Sequence, residues 1–311
     1  MGRFKDDYAL IRRGFGHVEA CRQVLFPRLL SRLPWNKDVY LYEMAVQAFI
    51  QRNFGDLIAK YQDESVSVER KPIKGPIWTM WWQGETQMPQ VIRECYDSIL
   101  RNANGREVIL LTKENLNDYI QLPDYVLRKV DEGKITLTHL SDHIRTTLLA
   151  EKGGLYMDCA LFVTKPIELG EVPFFSTRVE GKPGRVANRH KWVFGLIGSN
   201  KGDVVARFMQ ELFFAYWEKY DVQINYLMMD FMLLYAYNKI PAIKAEIDLI
   251  PYHSPNLHES RYLFNQKIDE ARFEKYINNN TFFSLTYRFE YPLQIDGVDT
   301  YYGRMIKVCK K

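Results

Sequence analysis

A helix that turns through two adjacent glycines into a hydrophobic strand is the feature that most restricts how this chain can fold. In SDHIRTTLLAEKGGLYMDCALFV (141–163), Ser141 suits a helix N-cap and Gly153 stands where a helix closes in the left-handed region. The pattern predicts a helix over 142–152 with Asp142 in its first turn, at the positive end of the helix dipole. Asp142 and Arg145 are three residues apart and share a face, while Leu148 and Leu149 anchor the helix in the core. After Gly153 and Gly154 comes the predicted strand LYMDCALFV. Alternation puts Tyr156, Asp158, Ala160 and Phe162 on one face and Leu155, Met157, Cys159 and Leu161 on the other. A carboxylate inside such an apolar run is costly unless it is paired, hydrogen-bonded or facing a ligand. Asp158 therefore either pairs with Arg145 to order the turn or faces a ligand. Open α/β folds place ligands at turns of this kind, at the edge of the sheet.

The surroundings read as an α/β fold. IWTMWWQG is a short aromatic, β-rich run ending at Gly84, PQVIRECYDSILRNA opens a helix at Pro89, and REVILLT is a second strand. Strand, helix, strand is the start of a parallel sheet. Residues 1–70 read as a helical N-terminal extension, including VEACRQVLFPRLLSRLP with Arg22, Arg28 and Arg32 between its apolar positions. That extension either caps the main domain or rests on a membrane surface. The polar stretch 64–76 is the linker candidate, and 76–311 the main domain.

Composition narrows the function only by exclusion. A net charge of +4, with no dense Lys/Arg stripe, falls short of a nucleic-acid footprint. Cys21, Cys95, Cys159 and Cys309 are too scattered for a zinc site and read as reduced thiols of a cytoplasmic protein. No N-terminal signal core is visible, and no apolar run reaches the ~20 residues of a spanning helix.

The pattern S-D-x-x-R-x-x-x-L-x-x-x-G-G-x-Y-x-D resembles the donor-binding signature of glycosyltransferase family 32 and the related clostridial glucosylating toxins. The longer stretch from IWTMWWQGETQMPQ to TKPI resembles the bacterial capsular polysaccharide synthesis proteins of that group, over about residues 76–290. The resemblance implies a GT-A (Rossmann-like) nucleotide-sugar domain and a retaining transfer from a UDP-sugar to a glycan or lipid-linked acceptor. By position it implies that Asp142 and Arg145 meet donor sugar hydroxyls, with Tyr156 and Asp158 beside the same pocket. Trp81 matches the tryptophan that stacks on uracil, and strand alternation sets it opposite Trp78 and Trp82. Gln83 and Gly154 complete the implied donor set. The familiar motif is D-x-D, with the second aspartate binding Mn²⁺ or Mg²⁺. Here Ala160 stands in that place and supplies no oxygen. A divalent cation held by Asp158 and the donor diphosphate is expected. The alternative is that Arg185, Arg189 or Lys191 neutralises the leaving diphosphate.

Asn225 and Asp230, in NYLMMDF, are candidates for the polar group beneath the sugar ring, although Asp230 is equally suited to be a buried tether. Arg189, His190 and Lys191 belong to a basic loop that either closes on acceptor or diphosphate or is simply solvated. His253 and His258 are candidates for the acceptor side, and SLTYR (284–288) is placed to fold back over the donor, as a C-terminal segment does in the relatives. Two other functions fit the same residues: a non-catalytic nucleotide-sugar-binding subunit and a sugar-phosphate transferase of capsule assembly.

Overall fold

A computed structural model describes residues 2–30, 38–66, 68–181 and 186–309, with the side chains of 2–4, 27, 30 and 38–42 outside the description. Arg32 and Arg185 lie outside the described residues. The short apolar runs form a five-stranded sheet from β1 (Ile77–Met80), β2 (Val108–Leu111), β3 (Gly154–Met157), β5 (Phe174–Phe175) and β6 (Leu196–Ser199), in the order β2-β1-β3-β6-β5. Strands β1, β2 and β3 run parallel, with Ile77 beside Val108 and Leu155, whereas β6 is antiparallel to both β3 and β5. The expected α/β class is met.

Alternation divides the sheet between two cores. Trp78, Ile109, Tyr156 and Ile197 face one apolar cluster, and Ile77, Leu155, Met157 and Leu196 face the other. Coverage of both faces explains why the strands read as continuous apolar runs. The first cluster also takes Val46, Phe49, Ile50, Ile58 and Tyr61 from the helix Asp38–Gln62. That helix therefore shares the main core, while Ile11, Ala20 and Val24 of the preceding helices form a small cluster of their own.

Two predicted boundaries need correction. The helix before the glycine pair spans Leu137–Glu151, and its N-cap is Thr136, which accepts from the His139 amide; Ser141 lies inside it. Thr136 is also an accepted N-cap residue, slightly weaker than serine, and Leu137 and Leu140 extend the apolar pattern one turn earlier. Asp142 is thus in the second turn, and residues 139–150 are all buried. The strand after the glycines also breaks: β3 ends at Met157, residues 158–160 turn, and β4 (Leu161–Val163) leaves to pair antiparallel with β7 (Phe282–Ser284). The polar cost of Asp158 is met by ending the strand there.

Both glycines are required at the bend. Gly153 and Gly154 have φ of 73° and 108°, a Cβ on Gly154 would lie 2.5 Å from the Pro76 carbonyl oxygen, and one on Gly153 would lie 2.6 Å from the Lys201 nitrogen. The Trp78 indole N–H donates to the Gly153 carbonyl at 2.8 Å, tying β1 to the bend.

Candidate functional site

Arg145 is the centre of the site. Its guanidinium is buried and donates to Phe194 O at 2.7 Å, Ser141 Oγ at 2.7 Å and Asp158 Oδ1 at 3.1 Å, while Asp142 Oδ1 lies 3.5 Å away. It also lies over the Tyr156 ring, 4.7 Å from its centroid. Burial disfavours its charge, but Asp158, Tyr156 and Asp142 outweigh that and raise its pKa. Tyr156 is itself buried, and burial raises its phenol pKa in turn. Asp142 is held from the other side by His139, whose Nδ1 is 3.1 Å from Asp142 Oδ2. These groups form one line of polar contacts, from His139, Asp142 and Arg145 on the helix to Asp158 in the turn after β3.

Only the end of that line is open. The Asp142 and Arg145 side chains are 9% and 6% exposed, while that of Asp158 is 44% exposed. Asp158 lines a cavity of about 270 Å³ together with Trp81, Gln83, Thr138, Tyr156 and Tyr287. Its amide donates to the Gly195 carbonyl at 2.7 Å, and a Cβ on Gly195 would fall 2.3 Å from Asp158 Oδ2. The turn before β6 therefore fixes both residues at once, Phe194 O holding the Arg145 guanidinium and Gly195 O the Asp158 main-chain amide.

Trp81 follows β1 and packs beside Ile92, Tyr96 and Cys159, and Tyr287 meets its ring edge-on at 5.8 Å. Its indole N–H is buried and has no acceptor among the described residues. Trp78 belongs to the opposite core. The segment 284–288 thus reaches the cavity through Tyr287, and Leu285 N donates to Ala160 O at 2.9 Å. Gln83 is on the exposed rim, and Gly154 supports the bend from below without lining the cavity.

Asp230, in the helix Met228–Lys239, accepts from the Trp192 indole N–H at 3.0 Å. Burial pushes its pKa up to about 7; the Trp192 hydrogen bond opposes this, the Asp142 charge adds to it, and Arg145 pulls it back. It is thus coupled to that line of contacts without lining the cavity. Asn225 does otherwise: its Oδ1 accepts from Leu227 N at 2.8 Å and it borders a different cavity.

The basic loop is turned away from the Asp158 cavity. Arg189 pairs with Glu43 at 2.8 Å, Lys191 sits 4.6 Å from the Tyr237 ring centroid and 3.8 Å from Asp248, and His190 packs against Gly181. None of the three lines that cavity. His253 packs on Phe175, 5.0 Å between ring centroids. Sequence reasoning missed His139 and Gly195. His139 carried a signal, since it is three residues before Asp142 on the same helix face; Gly195 carried none.

Among the described residues no group of three or more His, Cys, Asp or Glu side chains is placed to hold a metal ion. Asp158 is the one carboxylate among the described residues lining the cavity, Ala160 adds no ligand, and burial pushes the neighbouring Cys159 thiol up to about 12, so it stays protonated. The protein's own donor set does not fit a resident divalent cation.

Residues 36–305 match the family model described as Capsular polysaccharide synthesis protein. A solved structure titled PaToxG Glycosyltransferase aligns with 67% of this chain and 82% of its own, at 14% identity and a TM-score of 0.39. No curated protein sequence gives a significant match.

Proposed function

Because this chain belongs to the capsular polysaccharide synthesis protein family, we propose that it is a glycosyltransferase that moves a sugar from a nucleotide donor, a UDP-sugar, onto a growing surface glycan. The observation that carries this reading is the Arg145 guanidinium, fixed by Asp142 and Phe194 O and presenting Asp158 at a cavity walled by Trp81 and Tyr287. The base stacks on the face of Trp81. The Asp158 carboxylate accepts from ribose or sugar hydroxyls, and the Arg145 guanidinium keeps that carboxylate aimed.

In the proposed transfer the acceptor hydroxyl oxygen bonds to the anomeric carbon as the bond from that carbon to the diphosphate oxygen breaks. The electron pair leaves with the diphosphate, which takes the hydroxyl proton from the same face, so configuration is retained. Positive charge on the sugar ring is met by the carboxylate of Asp158 and, at longer range from behind the cavity wall, by the field of Asp230.

The acceptor is proposed to be lipid-linked and met at the inner face of a membrane. Val18, Phe26 and Leu29 are exposed along one helical run, with Arg22 between them. Residues 1–30 hold six Lys/Arg against three Asp/Glu, most of the chain's +4. Such a face suits an anionic lipid surface. No helix among the described residues is long and apolar enough to cross a membrane.

Transfer from a panel of UDP-sugars, followed by UDP release and by the anomeric signal of the product, tests the reading. Asp158→Asn is expected to lower turnover by about 10²-fold or more. Equal turnover in both proteins would remove the role given to Asp158. UDP binding without turnover on any donor would favour a non-catalytic binding subunit, and release of UMP a sugar-phosphate transferase.

A further inference from the structure

A second cavity, of about 310 Å³, lies between the N-terminal helices and the 221–227 loop. It meets the same helical turn as the first. Leu137, Thr138 and Ser141 line the Asp158 cavity, while His139 between them faces Tyr226, which lines the second, at 6.2 Å between ring centroids. The His139 ring and its contact with Tyr226 therefore lie between the two.

The second cavity has an unanswered polar group in its wall. Gln23 is 2% exposed, and its amide nitrogen donates to Glu19 Oε1 at 2.7 Å and Ala45 O at 2.9 Å. Those two acceptors use both amide protons and fix the amide's orientation. Its Oε1 is left buried, with no partner among the described residues. A buried carbonyl oxygen of this kind calls for a donor. The other walls say what sort of molecule would bring it. Tyr226 is 74% exposed and offers a flat aromatic face, Leu10 and Ile11 supply apolar strips, and Asp7 is the only charged side chain among the described lining residues. A phosphate or carboxylate would meet that negative charge with no lining cation to balance it. A neutral ring bearing hydroxyls on its edge and C–H groups on its face fits: its hydroxyls donate to Gln23 and Asp7, and its face stacks on Tyr226.

We propose that this cavity is an acceptor subsite, holding a neutral sugar unit of the acceptor glycan while another unit of the same glycan passes the His139 turn and brings its reacting hydroxyl to the Asp158 cavity. The assignment rests on the donor reading above and gives the N-terminal helices a part in choosing the acceptor. It also gives Asn225, which borders this cavity, a place on the acceptor side of the reaction.

The test uses the full chain on an array of neutral and acidic bacterial surface oligosaccharides, comparing wild type with Tyr226→Ala, which removes the platform, and Leu10→Trp, which fills the cavity from its exposed side. Melting temperatures confirm that each variant is folded, and calorimetry with UDP on the wild type reports on the donor site separately. Binding of neutral oligosaccharides that falls at least tenfold in both variants is the expected result. An array without neutral binders, or binding untouched by either substitution, overturns the subsite even where UDP binds. Absence of UDP binding alongside variant-sensitive glycan binding overturns the donor reading, and with it the acceptor role.

Discussion

Arg145 and Asp158 are 13 positions apart, one inside a buried helix and the other in the turn that ends a strand, and a guanidinium-to-carboxylate contact of 3.1 Å joins them. Gly195 is what leaves room for that contact, since any Cβ there would fall 2.3 Å from the other carboxylate oxygen. Gly195→Ala is therefore expected to swing Asp158 away from Arg145. Stability should fall by only about 1–3 kcal/mol, as for a modest overpacking. Turnover should fall by about 10²-fold, the usual effect of a misplacement near 1 Å. Thermal melts and steady-state assays on the same preparation separate the two effects, and unchanged turnover would break the link between this glycine and the site.

Trp81→Ala removes the proposed base platform. Stacking of a base on an aromatic face contributes about 1–3 kcal/mol, so the Kd for UDP should rise roughly 5- to 150-fold. Calorimetry checks this. Trp78→Ala, in the opposite core, should instead lower the melting temperature by loosening the glycine bend that its indole N–H ties down.

Asp230 sets a pH dependence with two readable signs. Its carboxyl titrates near 7 because burial disfavours the charge; in the unfolded chain an aspartate titrates near ~3.9. Between those values the folded protein holds a proton that the unfolded chain has lost, so stability should fall as pH rises from about 4 to 7. Turnover should rise over the upper part of that window as the carboxylate forms. Asp230→Asn should flatten the turnover profile and lessen the fall in stability, the remainder coming from Asp203 and Glu246, whose carboxyl pKa values burial also raises. Melting temperature and turnover measured from pH 5 to 8 would show it, and a turnover limb that survives the substitution would assign that limb to another group.

With one carboxylate among the described residues lining the cavity, the protein alone should show no saturable Mn²⁺ binding in the micromolar range by calorimetry. Tight binding without nucleotide would mean that ligands beyond Asp158 converge there.

Pelleting with vesicles tests the N-terminal face. Vesicles containing phosphatidylglycerol should carry the protein down at low salt, purely zwitterionic vesicles should do so far less, and Phe26→Glu with Leu29→Glu should abolish the difference. Equal pelleting by the double variant would remove the membrane contact.

The central part of the site was readable because its geometry is local. One helix, two glycines and the start of one strand bring Asp142, Arg145, Tyr156 and Asp158 together, and periodicity alone puts them on facing surfaces. The helix start was less legible because Thr136 and Ser141 both offer a capping hydroxyl, and packing against the helix Val204–Lys219 favours the earlier one. Arg189 and Lys191 show the limit of reading charge. A basic loop suggests an anion, but the anions that take these side chains are Glu43 and Asp248, roughly 150 positions before the first and 60 after the second, and no spacing rule connects them. Gly195 is invisible for the same reason: its importance depends on a carboxylate that arrives from another strand.

The pairing of β4 with β7 has a consequence for how the molecule comes into being. Leu161 lies opposite Ser284, and Leu285 grips Ala160 in the same turn as Asp158. During synthesis the Arg145 helix and the glycine bend leave the ribosome well over a hundred residues before the segment that closes them. The half-built pocket must wait with Trp81 and its apolar neighbours uncovered, a state in which a nascent chain is prone to stick to others. Ribosome-stalled lengths ending before residue 282 should therefore be captured by chaperones and bind no nucleotide, and release should coincide with the emergence of Tyr287.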